Sequence, residues 1–177
     1  MHLHIIDLDD AFASLAIRSV SEYFGFRTEL TLVGNSQILV DVLGANKPFE
    51  VVLINGHGSE GAFHLPELSD EIKDQYPYGS KLSHSELASF LKIKACCVIS
   101  TACSSGTEDM ANVFLAGGAR YFIAPTGYPD GSDALKLACD FLYHYGLKQK
   151  TPVEALSLAK FKTNDSCMFN VWERDKQ

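Results

Sequence analysis

Two short apolar runs, each ending in small turn-forming residues, limit this chain more than any other feature. Val51–Gly58 reads VVLINGHG and Cys96–Gly106 reads CCVISTACSSG. Continuous β-branched runs of this length are the pattern of strands buried on both faces, which occur in parallel sheets covered by helices. Each run delivers one chemically active side chain where it ends: His57 from the first and Cys103 from the second. Neighbouring parallel strands lie about 4.8 Å apart, so adjacent exits set an imidazole beside a thiol. A Cys with a nearby His is the minimal nucleophile–base pair.

The rest of the chain alternates strand and helix patterns. Strands are expected at His2–Leu8, Thr28–Val33, Phe49–Asn55, Ala95–Thr101 and Ala119–Pro125, with a short closing strand over Cys167–Trp172. Helices are expected over Ala11–Phe24, from Ser36 to Leu43, over Ser85–Leu91 and Glu108–Ala116, from Asp133 to about Tyr145, and over Val153–Lys160. In the first helix Phe12, Leu15, Ala16, Ser19, Val20 and Tyr23 keep helical spacing, which predicts a core-facing stripe. Ser83 with Glu86, and Ser105 with Glu108, have the spacing of capping boxes. Pro152 suits a first helical position. Gly56–Gly79 is longer than ordinary connections, carries at most a hairpin around Gly61–Leu65, and has the length of a functional loop. The alternation predicts a single domain over residues 1–177: a three-layer α/β sandwich with a mainly parallel sheet. Ligands of such folds sit at the carboxyl ends of the strands.

Composition closes off several alternatives. A net charge of −7 and a pI near 5.3 do not suit a nucleic-acid surface or an anionic membrane. No apolar run reaches the roughly 18 residues of a spanning helix. MHLHIIDLDD has acids and no basic segment, and reads as a strand rather than a signal peptide. The five cysteines are Cys96, Cys97, Cys103, Cys139 and Cys167; they show no zinc spacing and suggest a reduced, cytoplasmic protein. No cofactor or metal is expected.

At the exits, Gly56 and Gly58 flank His57 and allow a tight turn. The backbone N–H groups of Gly58 and Cys103 are candidates for an oxyanion hole. The helix after Cys103 can lower the thiol pKa, although Glu108 and Asp109 in its first turn oppose this. His64 and His84 do not sit at strand exits and are weaker bases. His2 and His4 stand at the opposite end of strand one and read as structural. Asp7, Asp9 and Asp10 are either helix caps and solvated acids or the lining of a substrate pocket. Asn55, at the exit of strand three, joins them as a substrate-binding candidate.

These residues resemble the caspase-like (clan CD) cysteine peptidases, and within them the CHAT branch. His57-Gly58 is similar to the family's catalytic His-Gly, and Ala102-Cys103-Ser104-Ser105-Gly106 to its nucleophile segment. FLAGGARYFIAP, DFLYHYGL, VEALSLA and CMFNVW resemble the segments that follow, so the likeness covers about residues 49–172. It implies a caspase-like topology with flavodoxin-like strand order. It further implies a cysteine endopeptidase acting on a polypeptide, with Cys103 as nucleophile and His57 as general base. Acids after strand one imply a pocket for a basic residue. The caspase-type Gln before the Ala-Cys pair is replaced by Thr101, and there is no processing linker, so a regulatory protein acting in trans is implied. NKPFEVVLINGHG and GARYFIAP also resemble a receiver domain, but Asn55 and Ala124 stand where that family needs Asp and Lys. A non-catalytic caspase-like or receiver-like interaction module is the alternative.

Overall fold

The computed structural model describes residues 1–160 and 163–174. In chain order the elements are β1 (His2–Asp7), α1 (Ala11–Tyr23), β2 (Arg27–Leu32), α2 (Ser36–Gly44), β3 (Pro48–Asn55), β4 (Gly58–Ser59), β5 (Ala62–His64), β6 (Lys81–Leu82), α3 (His84–Ala88), β7 (Lys94–Ser100), α4 (Glu108–Ala116), β8 (Tyr121–Pro125), α5 (Gly131–Leu142), α6 (Pro152–Ala159), α7 (Asn164–Cys167) and β9 (Phe169–Glu173). A π-helical turn over Tyr143–Leu147 extends α5.

The main sheet has the order β2-β1-β3-β7-β8-β9. Its first five strands are parallel and β9 closes the edge antiparallel to β8. Alternate residues of each strand feed opposite cores. Ile6, Val52, Ile54, Val98 and Phe122 pack with Leu39, Leu87, Met110 and Phe114 on one side. Leu3, Ile5, Val51, Leu53, Ile99 and Ile123 pack with Ile17, Leu137, Phe141 and Ala155 on the other. This is the three-layer α/β sandwich, and burial of both sheet faces explains why the central strands read as unbroken apolar runs.

Helix starts follow local chemistry. Ser83 and Thr151 form complete capping boxes with Glu86 and Glu154, and Pro152 opens α6. Two expected starts move. Asp130, not Asp133, caps α5. Thr107, not Ser105, caps α4, because the Ser105 hydroxyl is spent inside the preceding loop, on Ala102 O and Ser100 Oγ. Gly118, at φ +123, is held by its surroundings: a β-carbon there would fall 1.9 Å from Ile93 O.

The largest departure is in α1. Its buried residues are Ser14, Ile17 and Ser21, whereas Phe12, Leu15 and Tyr23 are exposed. The expected core stripe faces outward. Small hydroxyl side chains let the helix lie close against β1 and β2, and they supply hydrogen bonds to Asp7, Asn55 and Thr28.

His4 is buried, with Nε2 2.9 Å from Thr31 Oγ1 and its ring against Phe49. Burial holds its pKa below the usual 6.5, partly offset by Glu29. A neutral folded His and a protonatable unfolded one make stability fall as pH drops below about 6.5 toward the depressed folded value. Denaturant unfolding at pH 7.5 and 5.5 should therefore show a smaller acid loss in His4→Gln than in the wild type.

Candidate active site

The site is assembled at the carboxyl ends of β1, β3 and β7. β3 pairs with β1 on one side and β7 on the other, so Asn55 lies beside Asp7 and Ile54 beside Ser100. A buried hydrogen-bond chain ties the three exits together. Asp7 Oδ1 accepts from Ser14 Oγ at 2.7 Å and from Asp10 N at 3.0 Å. Asn55 Nδ2 donates to Ser14 Oγ at 2.9 Å and to Asp10 O at 3.1 Å. Thr101 Oγ1 donates to Asn55 Oδ1 at 2.7 Å. Backbone bonds from Leu8 N to Asn55 O and from Thr101 N to Ile54 O run alongside. Among the described residues, no buried side-chain polar atom lacks a partner.

These contacts involve two of the expected pocket residues. Asp7 and Asn55 are 5% and 3% exposed and are tied into this chain, which holds the rim in place. Asn55 is also not the exposed carboxylate that a receiver reading requires. Asp10 caps α1 through Ala13 N. Asp9 differs: it is exposed, has φ +144, and lines a cavity of about 340 Å³ with His57, His64, Leu65, Glu67, Ser80 and Lys81.

His57 stands exposed between β3 and the β4–β5 hairpin. His64 N donates to His57 O at 3.0 Å, which makes 57 and 64 a hydrogen-bonded pair of that hairpin. The next pair, Gly58 and Phe63, is then the non-bonded one, and the Gly58 N–H points out of the ladder. The Gly58 backbone lies against the Cys103 turn. A β-carbon at Gly58 would lie 2.6 Å from Cys103 O and 3.1 Å from Ala102 Cβ. Only glycine admits this approach, so the backbones that carry His57 and Cys103 are in direct contact.

The Cys103 turn is fixed from below. Ser100 Oγ accepts from Ala102 N at 3.2 Å and pairs with Ser105 Oγ at 2.8 Å. Ser104 adopts φ +54 and donates its N–H to Gly127 O at 2.6 Å. Gly106 N donates to Pro125 O. Cys103 itself is half-buried, with Sγ 3.8 Å from Pro129 O. Burial pushes its thiol pKa up, partly offset by a backbone hydrogen bond.

One residue of this cavity was not legible from strand exits. His64 comes from β5, and the hairpin folds it into the same cavity as His57. Its Nε2 lies 2.7 Å from Ser59 Oγ, which also accepts from Lys81 Nζ at 3.4 Å. Its pKa is lowered by burial, then by Lys81 and His57. Among the described residues there is no cluster of His, Cys, Asp and Glu able to hold a metal. No helix of the described residues is long and apolar enough to cross a membrane.

Removing the hinge of the hydrogen-bond chain should be costly. Ser14→Ala leaves Asp7 and Asn55 each short of a buried partner, and should lower unfolding free energy by about 1–3 kcal/mol. Ser19→Ala, on the exposed side of the same helix, should change it by less than about 0.5 kcal/mol; urea titrations of both variants give the comparison.

Comparison with known proteins places this geometry. No protein-family model matches the chain, and no curated protein matches it. Solved structures do. The Arg-specific cysteine proteinase gingipain R is similar over 98% of this chain and 46% of its own, at 14% identity and TM-score 0.57. The Saccharomyces cerevisiae separase in its complex with securin is similar over 97% of this chain and 12% of its own, at 10% identity and TM-score 0.61. A secreted C11 cysteine protease of Bacteroides thetaiotaomicron, solved with an irreversible peptide inhibitor, is similar over 90% and 57%, at 9% identity and TM-score 0.52. The chain thus spans less than two thirds of the length of each of these proteins. What the likeness establishes is the fold, that of the caspase-like (clan CD) cysteine peptidases.

Proposed function

We propose that the protein is a cysteine endopeptidase in which Cys103 is the nucleophile and His57 the general base. The observation that carries this is the contact between the Gly58 and Cys103 backbones at the exits of adjacent parallel strands. The shared fold with cysteine peptidases supports it. Burial pushes the Cys103 thiol up, which favours a general-base mechanism over a resting thiolate–imidazolium pair. His57 takes the Sγ proton as sulfur attacks the scissile carbonyl carbon. The N–H groups of Gly58 and Cys103 stabilise the oxyanion. Collapse breaks the C–N bond, and His57 returns the proton to the departing amine. A water, deprotonated by His57, then cleaves the thioester and regenerates the thiol.

Acids outnumber cations on the substrate side. Asp9 and Glu67 share a cavity with His57 and Lys81, and Glu60, Glu108, Asp109 and Asp130 follow the exits of β3, β7 and β8. This distribution favours a basic residue before the scissile bond. Gingipain R is Arg-specific by its description, which agrees with that choice. Separase was solved with securin, and a regulatory protein acting in trans is the counterpart proposed for this chain. The CHAT branch remains our assignment from the segments Ala102–Gly106 and those that follow them. A cytoplasmic location is proposed on the unpaired cysteines.

The test is hydrolysis of a fluorogenic peptide with Arg before the cleaved bond, together with labelling by an electrophilic peptide. Cys103→Ala and His57→Ala should each lose about 10³-fold or more in kcat/KM. Cys139→Ala should keep both hydrolysis and labelling, since burial, and then Asp140, push that thiol up to about 11. Hydrolysis that survives in Cys103→Ala, or a label found on Cys139, would refute the assignment.

A further inference from the structure

Helix α1 is turned outward relative to its own hydrophobic pattern. Phe12, Leu15, Ala16, Ser19 and Tyr23 recur at helical spacing on the solvent side, opposite the buried Ser14, Ile17 and Ser21. Phe12 and Tyr23 are 91% and 89% exposed, and Leu15 is 49% exposed. Side chains of this size cover 150–250 Å² each when aromatic, so the stripe presents roughly 400–500 Å² of apolar surface. A patch of that extent is a contact surface and not scattered exposure. Covered from both sides, it removes roughly 800–1,000 Å² from water, the size of a weak, reversible interface.

We propose that this stripe is a self-association face, on which α1 of one copy packs antiparallel against α1 of a second copy across a two-fold axis. The pattern is complementary to itself. An axis between Ile17 and Arg18 sets Phe12 of each copy against Tyr23 of the other. It sets Ala16 against Ser19, two small residues that let the helices approach closely in the middle. The flanks match as well. Asp9 precedes the helix and Arg27 follows it; both are exposed, and neither is in an ion pair among the described residues. Antiparallel packing brings Asp9 of each copy beside Arg27 of the other. Arg18 keeps its pair with Glu22 of its own helix at 2.9 Å. The opposed helix dipoles add a favourable term. A two-fold axis also makes the contact isologous, so association stops at a dimer and does not run on into a filament.

Sedimentation velocity of the full chain tests this, reading mass and not hydrolysis, so its outcome is separate from that of the peptidase assignment. The wild type should form a dimer with Kd on the order of 10 µM, as suits an interface of this size. Phe12→Glu with Tyr23→Glu should sediment as a monomer with an unchanged circular dichroism spectrum. Asp9→Arg and Arg27→Asp should each weaken the dimer about tenfold or more, and their combination should restore it. Should the double Glu variant fail to fold, a benzoylphenylalanine placed at position 12 should crosslink to the Tyr23 segment of another copy. A wild type that stays monomeric to about 20 times that Kd, a dimer that survives both Glu substitutions, or a crosslink to a different segment would overturn the proposal.

Discussion

Ser14 is the joint on which the rim turns. Its hydroxyl donates to Asp7 and accepts from Asn55, and Asn55 in turn accepts from Thr101. One helix and three strand exits are thereby locked by side chains that have no solvent to fall back on. In a dry setting each such bond is stronger, and each vacancy more costly, than at the surface. The arrangement therefore fixes relative heights. β3 and β7 leave the sheet at levels that bring Gly58 against Cys103, and only a residue without a side chain tolerates that spacing. The positions of His57 and Cys103 follow from this lock more than from any contact of their own.

The Cys103 turn shows the same principle at shorter range. Ser100 and Ser105 satisfy one another and the Ala102 backbone, while Ser104 takes the left-handed conformation and ties to Gly127. Hydroxyls that look like exposed loop residues thus form a scaffold beneath the thiol. The thiol above them is half-buried, and burial pushes its pKa up.

What could be read from the residues, and what could not, divides along the range of the interactions. The exits of β3 and β7 were legible because buried parallel strands demand apolar runs, and Gly-His-Gly and Ser-Ser-Gly mark where such runs stop. The capping box at Ser83 was legible because its partners lie three residues apart. The buried chain that Asn55 enters was not legible because its partners are remote: Asn55 and Ser14 are separated by 41 positions and Asn55 and Thr101 by 46. Ser105 was misread as a cap because a Ser three residues before a Glu looks the same whether its hydroxyl faces the helix or Ser100. The place of His64 in the His57 cavity was not legible because the β4–β5 hairpin, not a strand exit, delivers it. In α1 the periodicity of Phe12, Leu15 and Tyr23 was correct, but spacing alone does not say whether an apolar face meets its own core or a partner.

The central claim is that this fold sets Cys103 and His57 to act on one peptide carbonyl. A crystal structure of the protein after reaction with an Arg-containing peptide aldehyde tests it most directly. The account predicts a covalent bond from Cys103 Sγ to the aldehyde carbon, with the resulting oxygen within about 3.2 Å of the Gly58 or Cys103 N–H and the His57 ring beside the sulfur. An adduct on another cysteine, or one on Cys103 with its oxygen turned away from both N–H groups, would contradict it.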